Sequence, residues 1–163
     1  MQPSKADRDL AAALSALHRQ VDVLYGVIAR RFGLTTQQIE LLCHLDNRAH
    51  LDSRAPSFGE LAGMLGCDKT NVTGMVDRLE RRGLVRRTPD PADRRVSRVT
   101  LSEQGAALAP QIRTAVAEAI TDSCGSLDAA DRGRLTDLAR TAAHALRTGH
   151  PTPATTSAPA PPA

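Results

Sequence analysis

The chain has 163 residues, of which 41% are hydrophobic and only three are aromatic, and its formal net charge is +3. This length and hydrophobic content suit one domain, or two small layers that share a core, and they exclude a fully disordered protein. The scarcity of rings disfavours a pocket that stacks a flat ligand, and it disfavours modules that bind single-stranded nucleic acids by stacking bases.

The sequence contains no membrane or metal signature. No apolar run approaches the roughly 20 residues that span a bilayer, and the N-terminus has no apolar signal core. Cys43, Cys67 and Cys124 are widely separated and odd in number, which argues against a disulfide framework and agrees with a reducing compartment. Cys43 and His44 have no second pair at a ligand-like spacing. We therefore expect a cytoplasmic protein with no membrane association and no cofactor.

A long amphipathic helix is the first predicted element. Its apolar residues alternate in spacing between four and three, which is typical of a heptad seam that packs against another helix. The helix is expected to end near Gly33. The residues of the seam are Leu10, Leu14, Leu17, Val21, Leu24 and Ile28.

A second helix is predicted to begin with a capping box. Thr35 and Gln38 have the spacing at which each side chain satisfies a free backbone amide at a helix start. A polar connection is expected over residues 47–56. The buried side of this helix is predicted to comprise Ile39, Leu41, Leu42 and Leu45.

Two further helices, separated by a tight turn, follow. Ser57 and Glu60 repeat the capping-box pattern, and Gly66 ends the first of these helices. Asp68 is the expected N-cap of the second helix, which ends at Gly83. This second helix places Val72, Met75, Val76 and Leu79 on one face, and Thr70, Thr73, Gly74 and Asp77 on the other.

A β-hairpin is predicted next, because two runs with β-branched and apolar residues, 84–88 and 96–101, flank a turn at residues 90–95. The two short helices and this hairpin together make a winged helix-turn-helix. In such a module the start of the second helix can enter the major groove of DNA, while the hairpin follows the backbone or reaches the minor groove.

Two helices complete the predicted fold. The first begins after Ser102 and is interrupted near Gly125, and Asp128 caps the last helix. From Pro151 onward the chain contains only Thr, Pro, Ala and Ser, so residues 149–163 are expected to form a disordered tail. The buried face of the first helix is predicted to comprise Leu108, Ile112, Val116 and Ile120. An apolar stripe on the last helix comprises Leu135, Leu138, Ala142 and Leu146.

Positive charge is concentrated between Lys69 and Arg98. This segment contains eight arginines and one lysine against four carboxylates, so it carries 9 minus 4, or +5, while the whole chain carries +3. A basic helix followed by a basic hairpin is suited to neutralising phosphates and releasing condensed counterions. A solvated surface is the alternative for a charge cluster of this kind. The order of the elements favours double-stranded DNA as the partner.

The sequence resembles the MarR family of bacterial transcriptional regulators over about residues 8–148. The blocks that carry the resemblance are residues 61–62, 65–73, 76–85, 90–95 and 101–105.

The resemblance implies a mainly α fold, with a winged helix-turn-helix DNA-binding domain and its two-stranded wing in residues 34–101. Residues 8–33 and 102–148 are then the helical region through which two copies form a homodimer. Such a dimer places two modules on a pseudopalindromic operator, and a small organic effector often weakens its DNA binding. The implied function is a sequence-specific transcriptional regulator, with repression as the expected direction, rather than an enzyme.

The resemblance also implies a set of DNA-binding residues. Arg95 corresponds to the wing arginine, with Asp93 orienting it, and Arg94 and Arg78 are expected phosphate partners. Gly74 departs from the family, in which a larger and often cationic side chain is common, so direct base readout is expected to be thinner here and shape readout to compensate. The expected recognition-helix contacts are Lys69, Thr70, Asn71 and Thr73.

An alternative is open for Thr70, Asn71 and Thr73, because such residues also favour helix starts for local hydrogen bonding. Cys67 precedes a helix N-terminus, where the helix dipole and Lys69 would lower its thiol pKa and favour oxidation. A small residue that fills an apolar slot is the alternative for this cysteine.

Three residues of the first helix are candidates for an effector cleft. His18 and Asp22 lie one turn apart, and Tyr25 follows on a nearby face. An ordinary exposed pair is the alternative.

Two other classes of function compete with a regulator. A hydrolase that uses Ser, His and Asp would need a nucleophile elbow, a glycine-rich phosphate loop or a metal-ligand cluster, and the sequence contains none of these. A sequence-tolerant architectural DNA protein would share the basic surface, but it would bind random duplexes with similar affinity.

Overall fold

The computed structural model describes residues 2–51 and 54–149, and these are mainly helical. The chain forms two compact units, Met1–Asp122 and Ser123–Ala163. The mainly α class, with a two-stranded antiparallel sheet, confirms the predicted fold. The elements in chain order are α1 (Lys5–Arg31), α2 (Thr36–His50), α3 (Phe58–Leu65), α4 (Lys69–Arg81), β1 (Val85–Pro89), β2 (Ser97–Leu101), α5 (Glu103–Ser123) and α6 (Ala129–Gly149).

Local hydrogen bonds determine where α2, α3 and α4 begin. At α2, the Gln38 amide donates to Oγ1 of Thr35 at 3.3 Å, and the Thr35 amide donates to Oε1 of Gln38 at 2.9 Å. Ser57 and Glu60 make the same reciprocal pair at α3, and at α4 the Asp68 carboxylate accepts the amide three residues later. These bonds satisfy backbone donors that have no partner inside a helix, and they confirm the predicted caps.

A tight turn and shared apolar contacts join α3 to α4. Gly66 ends α3 with a φ of +62°, a left-handed conformation in which a side chain is crowded. Leu61 of α3 is fully buried, as is most of the facing side of α4. The polar side of α4 is thereby turned to solvent. The buried residues of α4 are Val72, Met75, Val76 and Leu79.

The hairpin is fixed to the segment that precedes α3. β1 and β2 pair in antiparallel fashion, with Val85 opposite Leu101. On the other edge of β2, the Val99 amide donates to the Pro56 carbonyl at 3.0 Å. Because β2 is hydrogen-bonded on both edges, the wing starts from a fixed base.

One core joins the winged module to the long helices before and after it. Ile28 at the end of α1, Leu42 in α2 and Ile112 in α5 are at most 5% exposed and belong to the same cluster as the buried side of α4. The earlier part of α1 is different, because Leu10 and Leu17 are 59% and 47% exposed. The predicted heptad seam is therefore buried in its own chain only near its end.

Two details of the predicted elements are wrong. Residues 47–50 continue α2 instead of forming a connection. In α5, Ile120 is 46% exposed instead of buried. Ile120 lies more than one turn beyond Ala115, the last buried residue of α5. Near its start the helix packs closely, and a Cβ on Gly105 would lie 1.9 Å from the Leu84 carbonyl oxygen. The buried residues of α5 are Gly105, Ala109, Ile112 and Ala115.

In the second unit, α6 begins at the predicted cap, where Asp128 accepts the amide three residues later at 2.8 Å. Leu135, Leu138 and Leu146 of α6 are 43%, 68% and 54% exposed. These leucines belong to the predicted apolar stripe of the last helix, and this stripe is exposed in a single chain.

Two further predictions concern the C-terminal tail and association with a membrane. The predicted tail, residues 149–163, lies outside the described residues from residue 150 onward. Within the described part of the chain, no helix combines the length and the apolar character needed to cross a membrane.

Candidate nucleic-acid interface

The first two turns of α4 present a polar, exposed surface. The side-chain amide of Asn71 donates to the Asp68 carboxylate at 3.0 Å, and the Thr73 hydroxyl donates to the Lys69 carbonyl at 2.9 Å. These local bonds are typical of a helix start, yet they leave the amide and hydroxyl oxygens free to accept from a ligand. Both interpretations of these residues therefore fit the geometry. The predicted contacts exposed here are Lys69, Thr70, Asn71 and Thr73.

The tip of the wing carries two exposed arginines, Arg94 and Arg95. The Arg95 guanidinium lies against the Asp93 carboxylate, with Nε–Oδ1 at 3.1 Å and Nη2–Oδ2 at 3.3 Å. These hydrogen bonds, together with one from the Arg95 amide, hold the pKa of Asp93 below its usual value. The Arg95 side chain is nevertheless 91% exposed, so Asp93 restricts its direction without covering it.

Arg78 lies one turn beyond Gly74 on α4 and is exposed. Its Nε donates to the Gly74 carbonyl at 3.0 Å. A Cβ added at Gly74 would meet Nη2 of Arg78 at 3.6 Å, which is an ordinary contact distance. The Arg78 guanidinium therefore lies beside the space into which a larger side chain at position 74 would extend.

A charge cluster around the buried residues Asp90 and Arg98, at the base of the wing, was not predicted from the sequence. Asp90 is 1% exposed and accepts hydrogen bonds from Arg54 and Arg98. Arg98 is 8% exposed and also donates to Glu60 at 2.9 Å and to the Ala55 carbonyl at 2.7 Å. The guanidinium groups of Arg54 and Arg98 hold the pKa of Asp90 far below its usual range. We call Arg54, Glu60, Asp90 and Arg98 the wing-base cluster.

Several cations of the basic segment, residues 69–98, are engaged in contacts within the protein. Arg98 belongs to the wing-base cluster and faces the interior. Arg87 pairs with two carboxylates of α4, and Arg82 donates to the carbonyl groups of Phe32 and Gly33 after α1. Three of the nine cations are thus held by other elements, so fewer cations face solvent freely than the sequence count implied.

The structure does not favour the redox hypothesis for Cys67. Burial raises the pKa of its thiol, and Asp68 raises it further. This direction is opposite to the lowering expected from the helix N-terminus, and a higher pKa leaves less thiolate to be oxidised. Among the described residues, no three His, Cys, Asp or Glu side chains are placed together to hold a metal ion.

The three candidate effector residues lie along α1. Nε2 of His18 is 3.3 Å from Oδ2 of Asp22, and these side chains are 75% and 57% exposed. Tyr25 is half-buried, and burial, followed by the nearby Cys43 and Glu40, raises the pKa of its phenol. Burial and then Asp22 raise the pKa of Glu40. Glu40 thus lies at the junction of α1 and α2, near two of the candidate effector residues. It was not predicted as a site residue, although its position between the apolar residues Ile39 and Leu41 was a signal in the sequence.

Comparison with known proteins identifies one family. Residues 34–97, which contain α2, α3, α4 and β1, match the model of the MarR family. NicR, an HTH-type transcriptional repressor of Pseudomonas putida, is 38% identical over 107 residues, which cover 66% of this chain and 65% of NicR. The chain thus spans just under two thirds of the length of that relative.

Solved structures share the fold. A mutant MarR from E. coli complexed with operator DNA matches with a TM-score of 0.69 and 26% identity, over 82% of this chain and 93% of that chain. BpsR of Bordetella bronchiseptica, whose DNA binding is regulated by 6-hydroxynicotinic acid, matches with a TM-score of 0.69 and 25% identity, over 87% of this chain and 98% of that chain. The match of residues 34–97 to the MarR model, the matched solved structures and the order of helices and wing agree in supporting a MarR-type winged helix-turn-helix fold for this chain.

Proposed function

We propose that this chain is a sequence-specific transcriptional regulator, which binds double-stranded DNA as a homodimer and represses transcription until a small organic effector releases it. The observation that carries the proposal is the joint exposure of the first turns of α4 and of the Arg95 tip, on a module with a single core. A helix start fits the roughly 12 Å wide major groove, while a hairpin arginine reaches the narrower minor groove. One module then touches two grooves.

The exposed polar residues divide into two roles in this proposal. Arg95, oriented by Asp93, enters the minor groove, and Arg94 and Arg78 bind phosphates. Phosphate contacts fix the register of the protein on the duplex, whereas base contacts specify the sequence. The residues that approach base edges in the major groove are Lys69, Thr70, Asn71 and Thr73.

Exposed apolar side chains support homodimerisation. Leu10 and Leu17 of α1 are 59% and 47% exposed, and α6 carries exposed leucines as well. Apolar residues in a heptad pattern on a soluble protein are typical of a face that another helix covers. A two-fold dimer would then present its two α4 helices to successive major grooves about 34 Å apart.

An effector would act through this dimer geometry. His18, Asp22 and Tyr25, with Glu40 beside them, are the residues proposed to meet it. The effector would bind more tightly to a dimer whose recognition helices are not spaced for DNA than to the DNA-binding dimer. The difference between these two binding free energies is the largest loss of DNA-binding free energy that the effector can cause. The DNA binding of BpsR is regulated by 6-hydroxynicotinic acid, and this supports a small organic acid as the effector of the present chain.

Selection of duplexes from a random pool tests the function. We expect an inverted repeat with half-site centres about one helical turn apart, bound at least about a thousandfold more tightly than random duplexes. Equal affinity for selected and random duplexes would favour an architectural protein instead. Turnover of ester or phosphate substrates would point to the hydrolase alternative.

The effector is sought with the selected duplex. Small organic acids are added to the complex, and release is followed by fluorescence anisotropy. Tyr25→Phe and His18→Ala are expected to raise the effector concentration that releases DNA while leaving DNA affinity unchanged. Unaltered effector response in both variants would exclude the proposed cleft.

A further inference from the structure

Arg87 of β1 connects the wing to α4. Its guanidinium pairs with Asp77, and its Nε lies 3.0 Å from Oε2 of Glu80. The Arg87 amide also donates to Oε1 of Glu80 at 3.3 Å, and the guanidinium carbon lies 5.1 Å from the ring centroid of Phe58 in α3. The side chain of Arg87 is only 29% exposed. One arginine thus holds the wing strand, α4 and α3 together.

Asp77 and Glu80 share the face of α4 that carries the proposed DNA contacts. Asp77 follows Thr70, and Glu80 follows Thr73, by seven residues, which is about two helical turns. The two carboxylate side chains are 49% and 42% exposed. Unpaired carboxylates on a surface that approaches DNA would repel the phosphates.

We propose that Arg87 is an internal counter-ion of the recognition helix, which neutralises Asp77 and Glu80 and fixes β1 on α4 without binding a phosphate itself. The inference rests on the proposed DNA-binding function. The Arg87 guanidinium lies within ion-pair distance of both carboxylates, and the Phe58 ring lies close by. Its Nη2 donates a hydrogen bond to Asp77, whereas the contact of its Nε with Glu80 is an ion pair without a hydrogen bond. Arg87 is therefore a positioning residue, in contrast to the 91% exposed Arg95.

Arg86 provides a matched control. Successive side chains of a strand point to opposite faces, and Arg86 is exposed beside Glu103 and Gln104 at the start of α5. Arg86→Met and Arg87→Met remove the same charge from neighbouring positions, and both keep a long apolar stem.

The experiment is a double-mutant cycle with the full-length chain and the duplex that the wild type selects from a random pool. Arg87→Met is expected to weaken binding about tenfold, because it exposes two carboxylates to the phosphates. In a background that carries Asp77→Asn and Glu80→Gln, the same change is expected to have no further effect. Arg86→Met is expected to have the same effect in both backgrounds, and Arg87→Lys to restore part of the affinity.

A loss of equal size for Arg87→Met in both backgrounds would reveal a direct phosphate contact and would overturn the inference, as would unchanged affinity in the wild-type background. Circular dichroism establishes that each variant is folded.

A wild-type chain that bound no duplex would contradict the proposed function instead. The counter-ion role is then measured by urea unfolding of the free protein. Arg87→Met and the two carboxylate changes are expected to shift the midpoint non-additively, and additive shifts would overturn the inference.

Discussion

The buried guanidinium of Arg98 faces the carboxylate of Asp90 where the wing leaves its domain, with only 8% and 1% of the two residues exposed. Oδ1 of Asp90 also accepts the Ala92 amide at 2.7 Å, and Nη1 of Arg98 donates to Glu60 at 2.9 Å. The pair therefore joins the turn that carries Arg95 to the first turn of α3. A buried pair with several hydrogen bonds to neighbouring elements makes the wing a fixed extension of the domain.

Acid is expected to weaken this connection. The pKa of Asp90 is lower in the folded chain than in the unfolded chain, so the unfolded chain binds the proton first as the pH falls. The contribution of Asp90 to stability is therefore complete above about pH 4 and is lost as the pH falls further. Asp90→Asn is expected to lower the urea midpoint at neutral pH and to reduce its acid dependence, as urea titrations at a series of pH values would measure.

Asp9→Asn is the control for this prediction, because Asp9 is 63% exposed and pairs with Lys5 one turn away. A surface pair of this kind contributes little to stability, so the urea midpoint should hardly change. Identical acid profiles for the wild type and Asp90→Asn would contradict the role of the wing-base cluster.

Removal of Arg95 is expected to weaken DNA binding without loss of the fold. Arg95→Ala should reduce affinity for the selected duplex by about 1–3 kcal/mol and lower the slope of log K against log salt by about one. The thermal midpoint should stay unchanged, because the side chain is 91% exposed. Fluorescence anisotropy at several salt concentrations and a thermal scan measure both quantities.

Asp93→Asn completes the test of the wing tip, since it keeps the cation and removes its orienting carboxylate. We expect a smaller loss of affinity than for Arg95→Ala. If Arg95→Ala changed neither affinity nor salt slope, the wing tip would not be part of the interface.

A charge at Leu17 is expected to separate the dimer. Leu17 is 47% exposed in the single chain, so Leu17→Glu should leave the fold intact and raise the dimer dissociation constant about a hundredfold or more. Ser15→Glu, on the opposite side of α1, is the matched control. Analytical ultracentrifugation measures both, and an unchanged dimer in Leu17→Glu would exclude this face.

Two glycine substitutions are expected to change stability in opposite directions. A Cβ on Gly105 would lie 1.9 Å from the Leu84 carbonyl oxygen, so Gly105→Ala should destabilise the chain by about 1–3 kcal/mol or more. Gly133 of α6 has nothing within 4 Å of an added Cβ, so Gly133→Ala should stabilise its helix by about 0.5–1 kcal/mol. Urea unfolding measures both changes, and a Gly105→Ala chain as stable as the wild type would contradict the packing described for α5.

Element boundaries were predictable to within a few residues because their causes are local. Thr35 with Gln38 and Ser57 with Glu60 exchange hydrogen bonds over three residues, and any sequence that carries those side chains at that spacing can form them. Burial was less predictable. Ile120 has the spacing of a buried residue, yet it is 46% exposed because it lies beyond Ala115, the last buried residue of α5.

The order of helices and wing, and the resemblance that suggests a role for Arg95, depend on residues that are neighbours in the chain, so the sequence alone was sufficient to predict them. Whether an arginine is exposed and able to bind DNA depends on the tertiary structure. Arg87 meets a carboxylate 10 residues away and Arg98 meets one 38 residues away, on helices that approach them only when the core forms. An ion pair is set by distance in space, and a pattern of charges along the chain carries no information about that distance.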